Sequence, residues 1–303
     1  MSDPVLIRSP EAALVAGAAA TPPASLGLLR ELWLVARLDI GESLRARWFA
    51  VYASLFGAIV ALLFAFGLTE SRILGFMGLS RLLVTYIQLC MAILPVFVLI
   101  TTVRSVAGDR EAGVFEYLLA LPISLSAWFW GKLVGRFLVV YLPVLLAMSA
   151  AAGWASLSEI PVPWAMFALY AALLAGLSIC FLGIAMGISA VARSVDVAQG
   201  AAFLVWLSLI LFLDLILLGV MIKGHVAPEL VVGIALANPL QAFRSAALLL
   251  FDPQLVLLGP AAFVILDAFG HDGVLAYAMA YPTFVGLFCA TAGYLRFRRG
   301  DLP

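Results

Sequence analysis

The chain is 303 residues long, 65% of them hydrophobic and only 11% charged, with basic and acidic side chains balancing to a net charge of zero. A soluble domain carries roughly 45–50% apolar and about 25% charged residues, so an aqueous fold is excluded and lipid must be the solvent for most of the chain. The mean hydropathy of +1.15 agrees, and the neutral balance removes any bulk electrostatic case for a nucleic-acid partner.

Residues 1–25 are rich in Ala and Pro, and Asp3, Arg8 and Glu11 precede a short apolar stretch. A secretory leader wants a basic start and an unbroken apolar core, so this segment reads as a disordered cytoplasmic tail. In 26–47, Leu29, Leu32, Trp33, Ala36, Ile40 and Leu44 recur at helical spacing, with Arg30, Arg37, Gly41 and Arg45 opposite. That pattern predicts an amphipathic helix lying in the membrane interface, arginines toward the headgroups.

A spanning helix needs about 20 apolar residues. Six runs qualify, near 48–68, 82–103, 133–155, 164–192, 198–222 and 274–295, so 48–303 reads as an all-α, polytopic, six-helix transmembrane domain. Pro95 and Pro143 fall inside the second and third spans, where proline is tolerated. With both ends inside, 13 of the 17 basic residues face the cytosol; only Arg72, Arg81, Lys223 and Arg244 lie outside. The positive-inside rule then puts both termini in the cytoplasm of a bacterial inner-membrane protein. The segment 223–273 is apolar but interrupted by Pro228, Pro239, Pro253 and Pro260, which predicts short helices capping the outer face, with a re-entrant pair as the alternative.

The loop between the second and third spans carries the densest pattern. Asp109, Glu111 and Glu116 are polar, Phe115, Leu118 and Leu119 form an apolar ridge at i, i+3, i+4, and Pro122 closes the run. These residues predict a short helix over 109–121 with Asp109 near its N-terminus, where the helix dipole favours a negative charge. Such a helix is either a peg for a cytoplasmic partner or an ordinary surface loop.

Glu111, Gly113, Glu116, Leu118, Leu119, Pro122 and Ser124, followed by Gly131 and Lys132, resemble the coupling-helix region of type-two ABC exporter permeases, and the amphipathic helix of 26–47 resembles that family's elbow helix. Leu125 stands where the family often has a basic residue. The resemblance implies a cytoplasmic ABC ATPase, in two copies, that grips the loop helix, and a homodimer of the permease. Phe212, Asp214, Pro228, Glu229, Asn238, Pro239 and Arg244 further resemble the NosY-type permeases, those of the system that matures nitrous-oxide reductase. Together the two resemblances cover about residues 28–296. The second implies a periplasmic beta-helix protein seated on 223–273 and a role in assembling the copper site of a periplasmic enzyme. The alternatives are a permease exporting another solute, a membrane-embedded enzyme, or a scaffold.

The chain lacks a phosphate loop, so ATP should bind a partner subunit and no enzymatic activity is expected here. The serine-protease-like run through Gly187 and Ser189 has only His225 and His271 as bases, both outside the spans. Cys90, Cys180 and Cys289 are far apart in apolar runs and read as packing residues. Cys90 with Met91, and Cys180 with Met186, are the soft-metal candidates, but neither spacing gathers ligands on one helix face, so no metal site or cofactor is expected. Trp128 and Trp130 read as interfacial aromatics. Asp214 is the carboxylate to notice within a span, since burying it in lipid costs about 3 kcal/mol. It reads as a polar contact across a dimer or to Arg244, with Asn238 nearby, or else as an interface-level acid. The GxxxG spacings of Gly131 with Gly135 and Gly183 with Gly187 permit close helix approach, and a dimer contact is the expected use.

Overall fold

A computed structural model describes residues 27–47, 49–59, 76–114, 123–157, 162–212, 228–250 and 261–299. Every regular element among them is helical. We number them α1 (Leu28–Arg45), α2 (Phe49–Ile59), α3 (Phe76–Thr102), α4 (Arg104–Glu111), α5 (Leu125–Leu157), α6 (Trp164–Val191), α7 (Val195–Leu207), α8 (Pro228–Leu236), α9 (Pro239–Leu249) and α10 (Ala261–Arg299).

Four continuous stretches are long and apolar enough to cross a bilayer: Leu89–Glu111, Leu125–Trp154, Trp164–Val191 and Ala262–Arg299. They match the second, third, fourth and sixth apolar runs of the sequence. The first and fifth runs are described only in part, as α2 and as α7 with the π turn Ser208–Phe212; their remainders lie outside the described residues. Pro95 and Pro143 sit inside α3 and α5. The outer segment is more than a surface cap. α8 and α9 meet at a 104° bend, the geometry of a broken or re-entrant span, and Ala242, Phe243, Ala246 and Ala247 are buried. Pro239, the first residue of α9, explains why α8 does not run on into it, since the residue before a proline is pushed out of the helical region.

The tightest crossing joins α6 to α10. A Cβ added at Gly183 would lie 1.9 Å from the Gly286 carbonyl oxygen, and one at Gly187 would lie 2.7 Å from that of Cys289. Gly131 and Gly135 do the same for α5 against α1, where an added Cβ would meet the Leu32 and Ala36 carbonyl oxygens at 2.8 and 2.9 Å. Both GxxxG pairs are therefore spent on contacts within the chain, not on the dimer contact expected of them. Small residues let two backbones approach until dispersion and weak Cα–H contacts operate along their length.

The elbow helix α1 has three faces rather than two. Leu29, Trp33 and Leu44 are exposed, as a lipid-facing stripe should be, and Arg30, Arg37 and Arg45 are exposed beside them. The side turned to the protein holds Glu31, Val35, Ala36, Asp39 and Ser43, all buried. In lipid the greasy face needs no protein partner, so the polar stripe is what can specify the docking on α5.

Candidate functional site

At the end of the second span, α3 stops at Thr102 and the chain turns at Val103 into α4. The break leaves first-turn amides of α4 without helical acceptors. Ser189 of α6 supplies one: its Oγ accepts from the amides of Val106 and Ala107, both at 3.0 Å. The serine weighed as a protease nucleophile is thus a helix cap, and Ser105 of α4 donates to the sulfur of Met186 at 3.2 Å alongside it.

Three consecutive residues of α4 then reach three different helices. Asp109 pairs with Lys132 of α5, whose ammonium also donates to the Ser105 carbonyl at 3.2 Å and lies 4.8 Å above the Trp128 ring. Arg110 donates to the carbonyls of Ala190 and Ala192 at 3.1 and 2.8 Å, at the C-terminal end of α6. Its guanidinium also stands 5.6 Å from the Phe297 ring centroid at the end of α10. Glu111 accepts from the amide of Val195 at 2.9 Å, the first residue of α7. Cation at a helix C-terminus and anion at a helix N-terminus are the favourable dipole pairings, so α4 is clamped to both ends of the α6–α7 connection.

Gly113 ends this arrangement. Its φ of +66° is the left-handed conformation that a side chain disfavours. The Ala112 and Gly113 amides fold back on the Gly108 and Arg110 carbonyls, a helix-terminating turn. Asp109 therefore lies in the last turn of the helix Arg104–Glu111, not at the start of a helix over 109–121 as expected. Its charge is satisfied by Lys132 rather than by a dipole. Phe115, Glu116, Leu118, Leu119 and Pro122 lie outside the described residues.

The chain re-enters at Ser124. Its amide and hydroxyl both donate to Oε2 of Glu31 on α1, at 3.1 and 2.9 Å. Its Oγ accepts from the Ala127 amide at 3.2 Å, capping α5. About two turns further along α1, Asp39 receives the Arg136 Nε at 3.1 Å, and Arg136 also donates to the Thr101 carbonyl at 3.1 Å. Burial pushes the Asp39 carboxyl above its ordinary range, while Arg136 and then Lys132 pull it back down. Trp128 and Phe129 are buried and Trp130 is partly buried; Trp128 packs on Phe297 and Phe129 on Tyr294 of α10, with ring centroids 6.0 and 5.4 Å apart.

The described residues on either side of 115–122 are thus anchored, those before it to α6 and α7 and those after it to the elbow. Glu31, Asp39, Arg110 and Arg136 were not singled out from the sequence, and Ser189 was weighed there only as a nucleophile. Nothing in the sequence names the partner of any of them, and only the fold brings it close. On the opposite side of the molecule, Asn238 is buried at the α8–α9 bend. Its Oδ1 accepts from the Leu240 amide at 3.0 Å and its Nδ2 donates to the Leu209 carbonyl at 2.6 Å, within the π turn of the fifth span. A π turn disturbs the regular helical ladder, and Asn238 takes one of its carbonyls. Arg244 is exposed, and Asp214 lies outside the described residues. Among the described residues no three His, Cys, Asp or Glu side chains converge.

The sequence model for ABC-2 family transporter proteins matches residues 33–302. Two curated relatives, each named "Probable ABC transporter permease protein NosY", are 28% identical to this chain. The one from Pseudomonas aeruginosa aligns over 230 residues, 73% of this chain and 82% of its own length. The one from Stutzerimonas stutzeri aligns over 225 residues, 71% of this chain and 80% of its own.

Proposed function

This chain belongs to the ABC-2 transporter family, and from that premise we propose that a separate cytoplasmic ATPase, in two copies, drives it through the loop between α4 and α5. It is a multi-pass transmembrane permease subunit of an ABC transporter. In the proposed cycle, ATP closes the ATPase pair, the loop after Gly113 moves, and α4 passes the displacement to the spans. The permease works as a homodimer in the inner membrane with both termini in the cytosol. The output is solute export or a conformational signal to a periplasmic partner.

The observation that carries this reading is the run Asp109, Arg110, Glu111. Three adjacent side chains bind α5, the end of α6 and the start of α7. A loop with an idle base would need one anchor, whereas a lever needs rigid links to the elements it moves. The elbow joins the same unit through Glu31 and Asp39.

Within the family, the likeness to two NosY permeases over most of the chain supports a narrower role. In that role the complex serves copper-site maturation of nitrous-oxide reductase, with a periplasmic beta-helix protein on the outer segment 223–273. Purification in mild detergent with a tag on this chain tests the partners. An ATPase and a beta-helix protein should both be recovered, and recovery of neither overturns the reading. Glu116→Lys, on the proposed coupling peg, should abolish permease-dependent ATP turnover while the spans stay folded.

A further inference from the structure

A cavity lies away from the coupling loop. It is a cleft of about 510 Å3 between α8 and the first limb of α10. That volume falls in the roughly 300–1,000 Å3 range of small-molecule sites. Gly270 creates the cleft. Its φ of +64° breaks α10 into two limbs, and α8 lies against the bend.

The lining is chemically uneven. Phe263, Phe269 and Tyr277 supply aromatic surface, and Glu229 and Asp267 open into the same space from opposite helices. Two of the rings are held in place: Tyr277 donates its hydroxyl to the Leu236 carbonyl at 3.0 Å, and Phe269 sits 5.4 Å from it centroid to centroid. Tyr277 is further stacked on Tyr281 at 5.0 Å. Among the described residues, neither carboxylate is in an ion pair with a cationic side chain.

We propose that this cleft is a binding site for a small organic cation with an apolar body, such as a substituted ammonium. Ring faces attract a diffuse positive charge, and the attraction grows as water is excluded. Two carboxylates add the opposite charge without the dense oxygen cage that a hard metal ion requires. An anion would meet two like charges here, and a neutral apolar molecule would leave both acids unused. The membrane side to which the cleft opens follows from the topology proposed above; the binding chemistry does not depend on it.

Gly233 offers a clean way to close the site. It lines the cleft in the middle of α8, and an added Cβ would meet no atom within 4 Å. Gly233→Leu therefore starts from an uncrowded Cβ and projects a side chain into the cleft, and removes a helix-weakening glycine as well. The test is calorimetric titration of benzyltrimethylammonium into the full chain in nanodiscs, which expose both faces, with benzenesulfonate as the charge-reversed control. One saturable site per chain is expected for the cation and none for the anion. Glu229→Gln and Asp267→Asn, both exposed, should each weaken binding about two- to fivefold, the range of exposed charge contacts, and Gly233→Leu should abolish it. Equal uptake of both probes, absence of a saturable site, or unchanged affinity in all three variants would overturn the assignment. None of these readouts involves the ATPase, so the outcome stands apart from that of the coupling reading.

Discussion

Replacing Arg110 by Met keeps an apolar stem but removes the guanidinium, with its place over the Phe297 ring and both hydrogen bonds to the end of α6. A hydrogen bond from a charged donor contributes about 1.5–3 kcal/mol when desolvated. Arg110 is only partly buried, and the freed carbonyls regain water, so the lower end of that range applies to the pair together. A cation at a helix C-terminus adds about 0.3–1 kcal/mol. The link between α4 and α6 is then worth about 2 kcal/mol, or roughly thirtyfold in the population of the linked state. In the reconstituted complex with its ATPase, Arg110→Met should leave assembly intact, because the contact is internal to the permease. The permease-dependent part of ATP turnover should fall at least about tenfold by this same estimate. Arg110→Lys should be intermediate, since an ammonium cannot fork to two carbonyls as a guanidinium does. Full permease-dependent turnover by Arg110→Met in an intact complex would refute the claim that α4 drives α6 through this residue.

Two further outcomes follow from the packing. Gly183→Val should lose monodisperse protein on size-exclusion chromatography, because its Cβ would sit 1.9 Å from the Gly286 carbonyl oxygen and backbone cannot yield as a side chain does; the cost should exceed the roughly 1–3 kcal/mol usual for overpacking. Asp39→Ala should lower the thermal midpoint more than the double variant Asp39→Ala/Arg136→Met, since a single truncation strands one charge of the pair at a cost of about 3–5 kcal/mol; a double variant less stable than the single one would show that the pair is not the elbow's fastener.

The apolar runs were legible because lipid imposes one requirement, length of uninterrupted hydrocarbon, that composition alone displays. The run 164–192 differs from α6, Trp164–Val191, by one residue at one end. Hydropathy says nothing about partners, and the polar anchors were invisible for that reason. Asp39 meets Arg136 97 positions later, and Glu31 meets Ser124 93 positions later. The elbow was read with two faces because soluble amphipathic helices bury their apolar side; between lipid and protein the third, acidic face does the docking. The start of the loop was misjudged because the polar pattern runs on past Gly113, while the backbone turns there. The spacings of Gly131, Gly135, Gly183 and Gly187 announced close approach correctly, yet spacing carries no address for the helix being approached.

The salt bridge between Asp39 and Arg136 also sets an order of events in biogenesis. A ribosome adds about 5–20 residues per second, so the 97 residues separating the two take about 5–20 s to appear. During that interval the N-terminal helix has synthesised its acids but not their counter-ion, and it can only float at the headgroup layer on its leucines and tryptophan. Its final seat becomes available when the third hydrophobic segment enters the bilayer, so a truncated nascent chain ending before residue 136 should leave that helix open to protease or to a chemical label.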